Sequence, residues 1–214
     1  DPVSKYLEWF SANYKGKKYE ITLRQILHQT SGIPFKSIAL IPESNAPDAL
    51  QKTVQKLKGI ELSRVPGDAF EYATINYDII GAVIEKVTRM SYEEYMTKHI
   101  LKPLGLLHTR VGADKSDKLM SKGYKISFFS PRPYDAPVYR GNYPAGYIVS
   151  DAKDMSRWVQ LQMGVLDPGP GIRELMEKSH QPDKSVSPTP GTPVSYAMGW
   201  MVHEYGSPLI EHGG

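Results

Sequence analysis

Apolar residues recur at helical spacing along much of the chain, and one such stripe lies beside a candidate functional tyrosine. It follows a Pro66–Gly67 turn and the aromatic residues Phe70 and Tyr72. Positions three and four apart share one face of a helix, so the pattern predicts an amphipathic helix that starts just after Tyr72. The side chains predicted to be buried on this face are Ile79, Ile80, Val83, Ile84 and Val87. A tyrosine at the mouth of a rigid helix can transfer protons, although an aromatic plug over a helix end is the commoner arrangement.

Shorter local signals predict the other elements. Thr22–Gln25 and Ser91–Glu94 have the capping-box pattern that starts a helix. Residues 195–212 alternate around Gly206 and predict a β-hairpin. The proline-rich stretches 130–137 and 182–193 are interpreted as connections, and either would suit the rim of a substrate cleft. The chain is therefore predicted to be mostly helical, with strands at its end.

Composition narrows the function classes. The 214 residues are 40% hydrophobic, which allows a substantial buried core, and the formal net charge is +3. The lysines are scattered along the sequence, which argues against nucleic acid or a membrane surface as the main partner. Cysteine is absent, so disulfides and thiolate metal sites are excluded. The six histidines show no H-x-x-x-H spacing, so we expect no metal and no cofactor. No G-x-S-x-G segment provides the nucleophile of an α/β-hydrolase.

Five segments spread over nearly the whole chain carry a family resemblance. They read ITLRQILHQTSGIP (21–34), PGDAFEYATINYDIIG (66–81), PLGLLHT (103–109), PAGYIVSDAKDMSRW (144–158) and YAMGW (196–200), the last followed by His212–Gly213–Gly214. They resemble, in the same order, segments of the serine β-lactamase-like family, which comprises class C β-lactamases, penicillin-binding DD-peptidases and related esterases. The histidine stands where that family has the lysine of K-T-G.

The resemblance implies an α+β fold of the serine β-lactamase/DD-peptidase type. We expect residues 1–194 to form a mainly helical domain with proline-rich loops. Residues 195–214 would supply the first strands of the C-terminal half of the α/β domain, as an antiparallel hairpin of an incomplete sheet. The resemblance also implies an extracytoplasmic location in a bacterial cell envelope. The nucleophile motif S-x-x-K of the family is expected upstream of Asp1, so the 214 residues alone are expected to be inactive.

One S-x-x-K does occur within the chain, at Ser150–Lys153, and it opens a predicted helix as that motif requires. The alternative is a helix cap, because Ser150 is a suitable N-cap residue and Asp151 suits the positive start of a helix. The apolar residues of this helix would then face a core: Ala152, Met155, Val159 and Met163. The family motif precedes the tyrosine motif, so we interpret Ser150 as a cap.

In the family mechanism a serine attacks a carbonyl and forms an acyl-enzyme. The resemblance implies two catalytic residues here, Tyr72 as the proton shuttle and His212 at the third motif. It also implies three substrate-binding residues, Thr74 in place of an asparagine that binds the acyl side chain, and Gly213 and Gly214 after the histidine.

Two positions depart from the family pattern. Thr74 keeps a hydroxyl but lacks the two-ended amide of asparagine, and the nearest asparagine is Asn76. A lysine ammonium is charged at neutral pH, whereas an imidazole is mostly neutral unless a partner holds its proton. A substrate carboxylate would therefore find a weaker anchor at His212. Both changes favour a DD-peptidase-like or esterase-like hydrolase, acting on a small molecule or a cell-envelope polymer, over an efficient β-lactamase.

A second hypothesis stays open. A catalytically degenerate member of the family would bind envelope polymer or a protein partner without turnover. Thr74 favours this binding protein, whereas Tyr72 and His212 favour the enzyme. The oligomeric state has no signal in the sequence.

Overall fold

The computed structural model describes residues 1–114, 116–183 and 194–213. The α-helices in these ranges are α1 Leu23–Leu27, α2 Ala49–Gln55, α3 Ile75–Thr88, α4 Tyr92–Met96, α5 Tyr143–Gly146, α6 Ala152–Gln162 and α7 Pro170–Ser179. Short 3₁₀ segments lie at Val3–Lys5, Phe35–Leu40 and Arg140–Asn142, and a π-helical segment, Thr97–Leu101, continues α4. No helix in the described ranges combines the length and the apolar character needed to cross a membrane.

The strands form four small sheets. Their bounds are β1 Ala12–Tyr14, β2 Lys17–Tyr19, β3 Ile60–Glu61, β4 Arg110–Val111, β5 Gly123–Ser127, β6 Ser130–Tyr134, β7 Ile148–Val149, β8 Val194–Tyr196, β9 Met201–Tyr205 and β10 Ser207–Glu211. The strand orders are β2-β1-β3, β4-β7, β5-β6 and β10-β9-β8. The β9–β10 pair, joined at Gly206, confirms the predicted hairpin, and β8 adds a third antiparallel strand to it.

Both predicted capping boxes are present. Gln25 N–H donates to Thr22 Oγ1 (3.2 Å) and the Gln25 side chain accepts from Thr22 N–H (2.9 Å) at the start of α1. Ser91 and Glu94 repeat the exchange at the start of α4, at 3.2 and 3.0 Å. These bonds satisfy donors that a helix start otherwise leaves without partners.

Helix α3 crosses the main core and places the tyrosine segment at its N-terminal end. Ile79 and Val83 are buried in that core, and Ile80 and Ile84 pack against its edge. Val87, predicted to be buried, is instead 60% exposed, because it lies in the last turn of α3, beyond the neighbouring helices. The helix ends at Arg89, which adopts the left-handed conformation (φ 58°) more usual for glycine.

A glycine lets another helix approach α3 closely. A Cβ on Gly81 would overlap the ring of Pro144, which belongs to α5. Because a methyl group has no room there, the crossing of α3 and α5 depends on the missing side chain.

A smaller apolar cluster packs α6 against the segment after α4. It is built from Leu101, Leu104, Leu106 and Leu161. Trp158 packs against it from α6, four residues after the buried Asp154. The face of α6 predicted from Met155, Val159 and Met163 is wrong, since these side chains are 47%, 48% and 72% exposed.

The proline-rich stretch 130–137 was predicted to be a connection, but its first five residues form strand β6. The prolines are compatible with this because β6 is an edge strand. Most of the second stretch, 182–193, lies outside the described residues.

Candidate active site

The backbone on both sides of Tyr72 is held by one buried residue, Gln29. Glu71 N–H donates to the Gln29 carbonyl (2.8 Å), and Ala73 N–H donates to Gln29 Oε1 (3.0 Å). Gln29 is 0% exposed and lies 44 residues from Ala73 in sequence. Its backbone is left-handed (φ 56°), an uncommon conformation for a residue other than glycine. The main chain at Tyr72 is therefore clamped from both sides by the turn that ends α1.

Asn76 completes this clamp. Its Nδ2 donates to Gln29 Oε1 (2.5 Å), and its Oδ1 accepts from Ser31 Oγ (2.9 Å). The side chain is fully buried. The Asn76 amide is therefore already used in this network. It does not supply the substrate-binding amide that is absent at Thr74.

Tyr72 and His212 come together from distant parts of the chain. Their ring centroids are 6.1 Å apart and the rings are inclined by 39°. Tyr72 is partly buried, and that burial raises the pKa of its phenol. Among the described residues no cation offsets this effect, so the phenol is protonated at neutral pH.

His212 directly follows β10, on the hairpin that β8 extends. Its ring is exposed and lies 6.5 Å from the Tyr196 ring. No described atom lies within 4 Å of the position that a Cβ on Gly213 would take. Gly214 lies outside the described residues.

Thr74 is the residue at the start of α3, and its hydroxyl makes no N-cap hydrogen bond. It is partly buried and lies two residues from Tyr72. The hydroxyl is therefore not committed to capping the helix.

Neutral aromatic side chains lie beneath these residues. Phe70 packs on Tyr196 with ring centroids 5.2 Å apart, and the Tyr77 hydroxyl donates to the Leu27 carbonyl (3.1 Å). Burial raises the pKa of Tyr196 to about 12 and raises that of Tyr77 further. His28 approaches the Tyr196 carbonyl through Nδ1 (3.4 Å), and burial lowers its pKa. These side chains near Tyr72 therefore carry little charge at neutral pH.

Comparison with known proteins identifies the family and the fold. The Beta-lactamase family model matches residues 1–214. The chain belongs to the Beta-lactamase family. Its fold is that of the serine β-lactamases and penicillin-binding proteins, in the penicillin-recognising serine hydrolase superfamily.

A curated relative is protein flp of Staphylococcus aureus, 34% identical over 220 residues, which cover 100% of this chain and 42% of that protein. A penicillin-binding protein homologue from Pyrococcus abyssi, octameric in its solved structure, has a TM-score of 0.77 at 23% identity and covers 98% of this chain and 49% of its own. A D-stereospecific amidohydrolase from Streptomyces sp. has a TM-score of 0.72 at 28% identity and covers 100% and 66%. The chain thus spans less than half the length of the curated relative.

The internal S-x-x-K of this Beta-lactamase family chain is a structural feature. Asp151, not Ser150, is the N-cap of α6, since Asp154 N–H donates to Asp151 Oδ1 (2.8 Å). The Ser150 and Thr109 hydroxyls bond each other (2.8 Å), and Lys153 is exposed. The aspartate takes the cap because its carboxylate reaches the free N–H groups from one residue further along the chain.

A cluster of three ligand-type residues lies at the same place. Atoms of His108, Asp151 and Asp154 lie within 4.8 Å of one another. Asp154 is buried and accepts from His108 N–H (2.7 Å) and Thr109 Oγ1 (2.8 Å), while Asp151 Oδ2 lies 2.6 Å from His108 Nδ1. These bonds tie two of the family segments together and account for the cluster without an ion. The pair His108–Asp151 also lines a cavity of about 430 Å³, whose lining includes neither Tyr72 nor His212.

Sequence reasoning located Tyr72, Thr74 and His212 but missed Gln29. The T-S-G segment drew attention to the turn without indicating which side chain mattered. The available signal was a polar residue, Gln29, between an apolar helix and a turn. Its hydrogen-bond partners are known only once the distant tyrosine segment is in place.

Proposed function

We propose that the protein is a serine acyl hydrolase in which Tyr72 transfers protons and His212 faces the substrate carboxylate. The observation that carries the proposal is the Tyr72–His212 approach, with 6.1 Å between the ring centroids. The proposal requires a serine and a lysine of S-x-x-K from outside residues 1–214.

The proposed chemistry has two steps. In the first, the serine oxygen bonds to the substrate carbonyl carbon, Tyr72 takes the serine proton, and that proton passes to the leaving group as its bond to the carbonyl carbon breaks. In the second, a water oxygen bonds to the acyl carbon, Tyr72 takes a proton from that water, and the proton passes to the serine oxygen as its bond to the acyl carbon breaks. Since burial raises the pKa of Tyr72 in the described residues, this role needs a nearby positive charge. The motif lysine would supply that charge.

The substrate proposal is a small acyl compound or a peptidoglycan-type polymer, cleaved in a DD-peptidase-like or esterase-like manner. Thr74 offers only a hydroxyl, and Asn76 is buried in the clamp, so the site has a weaker means of binding a peptide-like amide. Similarity to a D-stereospecific amidohydrolase supports testing D-alanyl amides and esters. Such substrates accord with an extracytoplasmic location, which we also propose.

The test is intact-mass spectrometry of the full-length protein after incubation with a fluorescent penicillin. We expect a mass increase of one penicilloyl group, slowed by orders of magnitude in Tyr72→Phe. The control is Tyr19→Phe, which removes the same hydroxyl from strand β2 and should acylate at the normal rate.

Two results would overturn parts of the proposal. An adduct that forms equally fast in Tyr72→Phe removes Tyr72 from the mechanism. No adduct, together with no turnover of D-alanyl esters or amides, rejects the enzyme and leaves a family member that binds envelope polymer or a partner. The observation that favours this binding function is that Thr74 has no side-chain amide, whereas the family motif has an asparagine at this position.

A further inference from the structure

Strands β5 and β6 form a hairpin that pairs with no other strand of the described chain. Its register pairs Tyr124 with Pro133, Lys125 with Arg132, and Ser127 with Ser130. Nearly every side chain of the hairpin is exposed. An isolated two-stranded hairpin is marginally stable in water, so an exposed one with apolar side chains calls for a partner surface.

The exposed apolar groups are concentrated on one face and at the tip. Because side chains alternate along a strand, Tyr124 and Ile126 lie on one face with the cross-strand Pro131 and Pro133. Ile126 is 82% exposed. At the tip, Phe128 and Phe129 are 91% and 104% exposed.

The two residues at the tip of the hairpin are of a type that its turn conformation disfavours. Phe128 and Phe129 both have positive φ, 50° and 61°, which makes the loop a two-residue turn best served by Asn-Gly. Two bulky aromatic residues in left-handed backbone are unfavourable there. The sequence thus keeps two phenylalanines at the most exposed point of the hairpin at a cost in turn stability.

Positive charge accompanies this apolar tip. Four cations, Lys118, Lys122, Lys125 and Arg132, lie between Asp117 and Asp135, so residues 117–135 carry a net charge of +2. The whole chain has a net charge of +3, so this short segment carries two thirds of it. Lys125 and Arg132 face each other across the hairpin on the side opposite Ile126, and Lys125 Nζ lies 4.7 Å from the Tyr134 ring centroid. Two of these cations, Lys125 and Arg132, lie on the hairpin itself.

We propose that the β5–β6 hairpin docks on an anionic lipid membrane. Phe128 would enter the boundary between headgroups and acyl chains, where aromatic and apolar side chains are favourable. Lys125 lies three residues from Phe128, about 10 Å along an extended strand, which matches the depth of the lipid phosphates. Cations at that level are attracted by anionic headgroups.

A second copy of the chain fits this surface less well. Along the outer edge of β6, pairing with another strand is hindered, because Pro131 and Pro133 have no backbone N–H groups. The cations of two hairpins would also repel each other. A lipid surface uses the apolar tip and the positive charge together.

The experiment is cosedimentation of the full-length protein with vesicles of phosphatidylglycerol and phosphatidylcholine in equal parts, compared with phosphatidylcholine alone. We expect binding to the anionic vesicles that weakens at 0.5 M salt. Phe128→Asn with Phe129→Gly should reduce binding at least about tenfold, and this pair suits the turn, so the hairpin is retained. Lys125→Gln with Arg132→Gln should reduce it about 30-fold, since each cation near the surface contributes about fivefold.

Matched controls remove equivalent groups elsewhere. Lys17→Gln with Lys18→Gln takes two exposed cations from strand β2, and Val87→Ser with Leu107→Ser takes two exposed apolar side chains. Both should bind vesicles normally. No binding to anionic vesicles, or equal losses in the hairpin and control variants, overturns the proposal. Tip substitutions that change the oligomeric state and not vesicle binding would assign the surface to a second copy. Because vesicle binding needs no acyl-enzyme, its result is independent of the proposed function.

Discussion

Replacing Gln29 by methionine tests whether the clamp holds the tyrosine segment in place. Methionine matches glutamine in length and flexibility but offers no strong acceptor, so the fully buried pocket stays filled. The change leaves Ala73 N–H and Asn76 Nδ2 without their shared acceptor. Glu71 N–H keeps its bond, because that bond goes to the Gln29 backbone carbonyl.

The expected magnitude follows from the two orphaned donors. A buried donor left without a partner costs about 1–3 kcal/mol, so two give about 2–6 kcal/mol, of which some is recovered by local adjustment. A local opening free energy lowered by about 3 kcal/mol corresponds to exchange of the Ala73 amide hydrogen about 100-fold faster.

Hydrogen–deuterium exchange of the peptide that covers residues 70–76 measures this directly. Gln51→Met is the matched control, since Gln51 is only partly buried and donates to Glu85 Oε2 (2.8 Å) and the Ala82 carbonyl (3.3 Å). It should leave exchange in residues 70–76 unchanged. Equal exchange rates at Ala73 in the wild type and Gln29→Met, or equal acceleration in both variants, would show that the clamp reasoning is wrong.

Three further predictions rest on single residues. Burial raises the pKa of Asp78 well above its ordinary value, so the folded state holds a proton that the unfolded state releases above about pH 4. Stability therefore falls with rising pH, by up to about 1.4 kcal/mol per pH unit until the folded-state pKa is passed. Asp78→Asn should remove that contribution, so stability in urea denaturation should fall less steeply from pH 4 to 8 than in the wild type, and an unchanged slope contradicts it. Gly81→Ala should lower thermal stability by several degrees, because the added methyl group overlaps Pro144, and a Tm within 1 °C of wild type would refute the close crossing. His212→Lys should accelerate penicillin acylation of the full-length protein, since a permanent charge would face the substrate carboxylate; a slower rate would mean that the imidazole has its own role.

Local sequence signals predicted several parts of the molecule correctly. Both capping boxes formed because each depends on a hydroxyl and a Gln or Glu only three residues apart. The β9–β10 hairpin likewise rests on alternation around Gly206. The five family segments identified the fold, since they cover nearly the whole chain. For Tyr72, Thr74 and His212 the sequence predicted positions, and their roles stay proposals.

Predictions failed where the deciding contact was distant. The buried face of α6 was misassigned because Asp154 turns inward to reach Thr109, 45 residues away. A proline-rich stretch became strand β6 because it had a partner in β5 and a free outer edge.

The sequence by itself determined the family, the starts of α1 and α4 and the β9–β10 hairpin, because these depend on neighbouring residues or on a pattern read along the chain. Only the tertiary structure decided that Gln29 clamps the Tyr72 backbone, that Asn76 is consumed in the same network, and that Tyr72 meets His212. Each of these is a hydrogen bond or a ring contact between residues more than 40 positions apart. Hydrogen bonding and burial depend on how close residues are in space. For residues far apart in the sequence, the folded structure sets that separation.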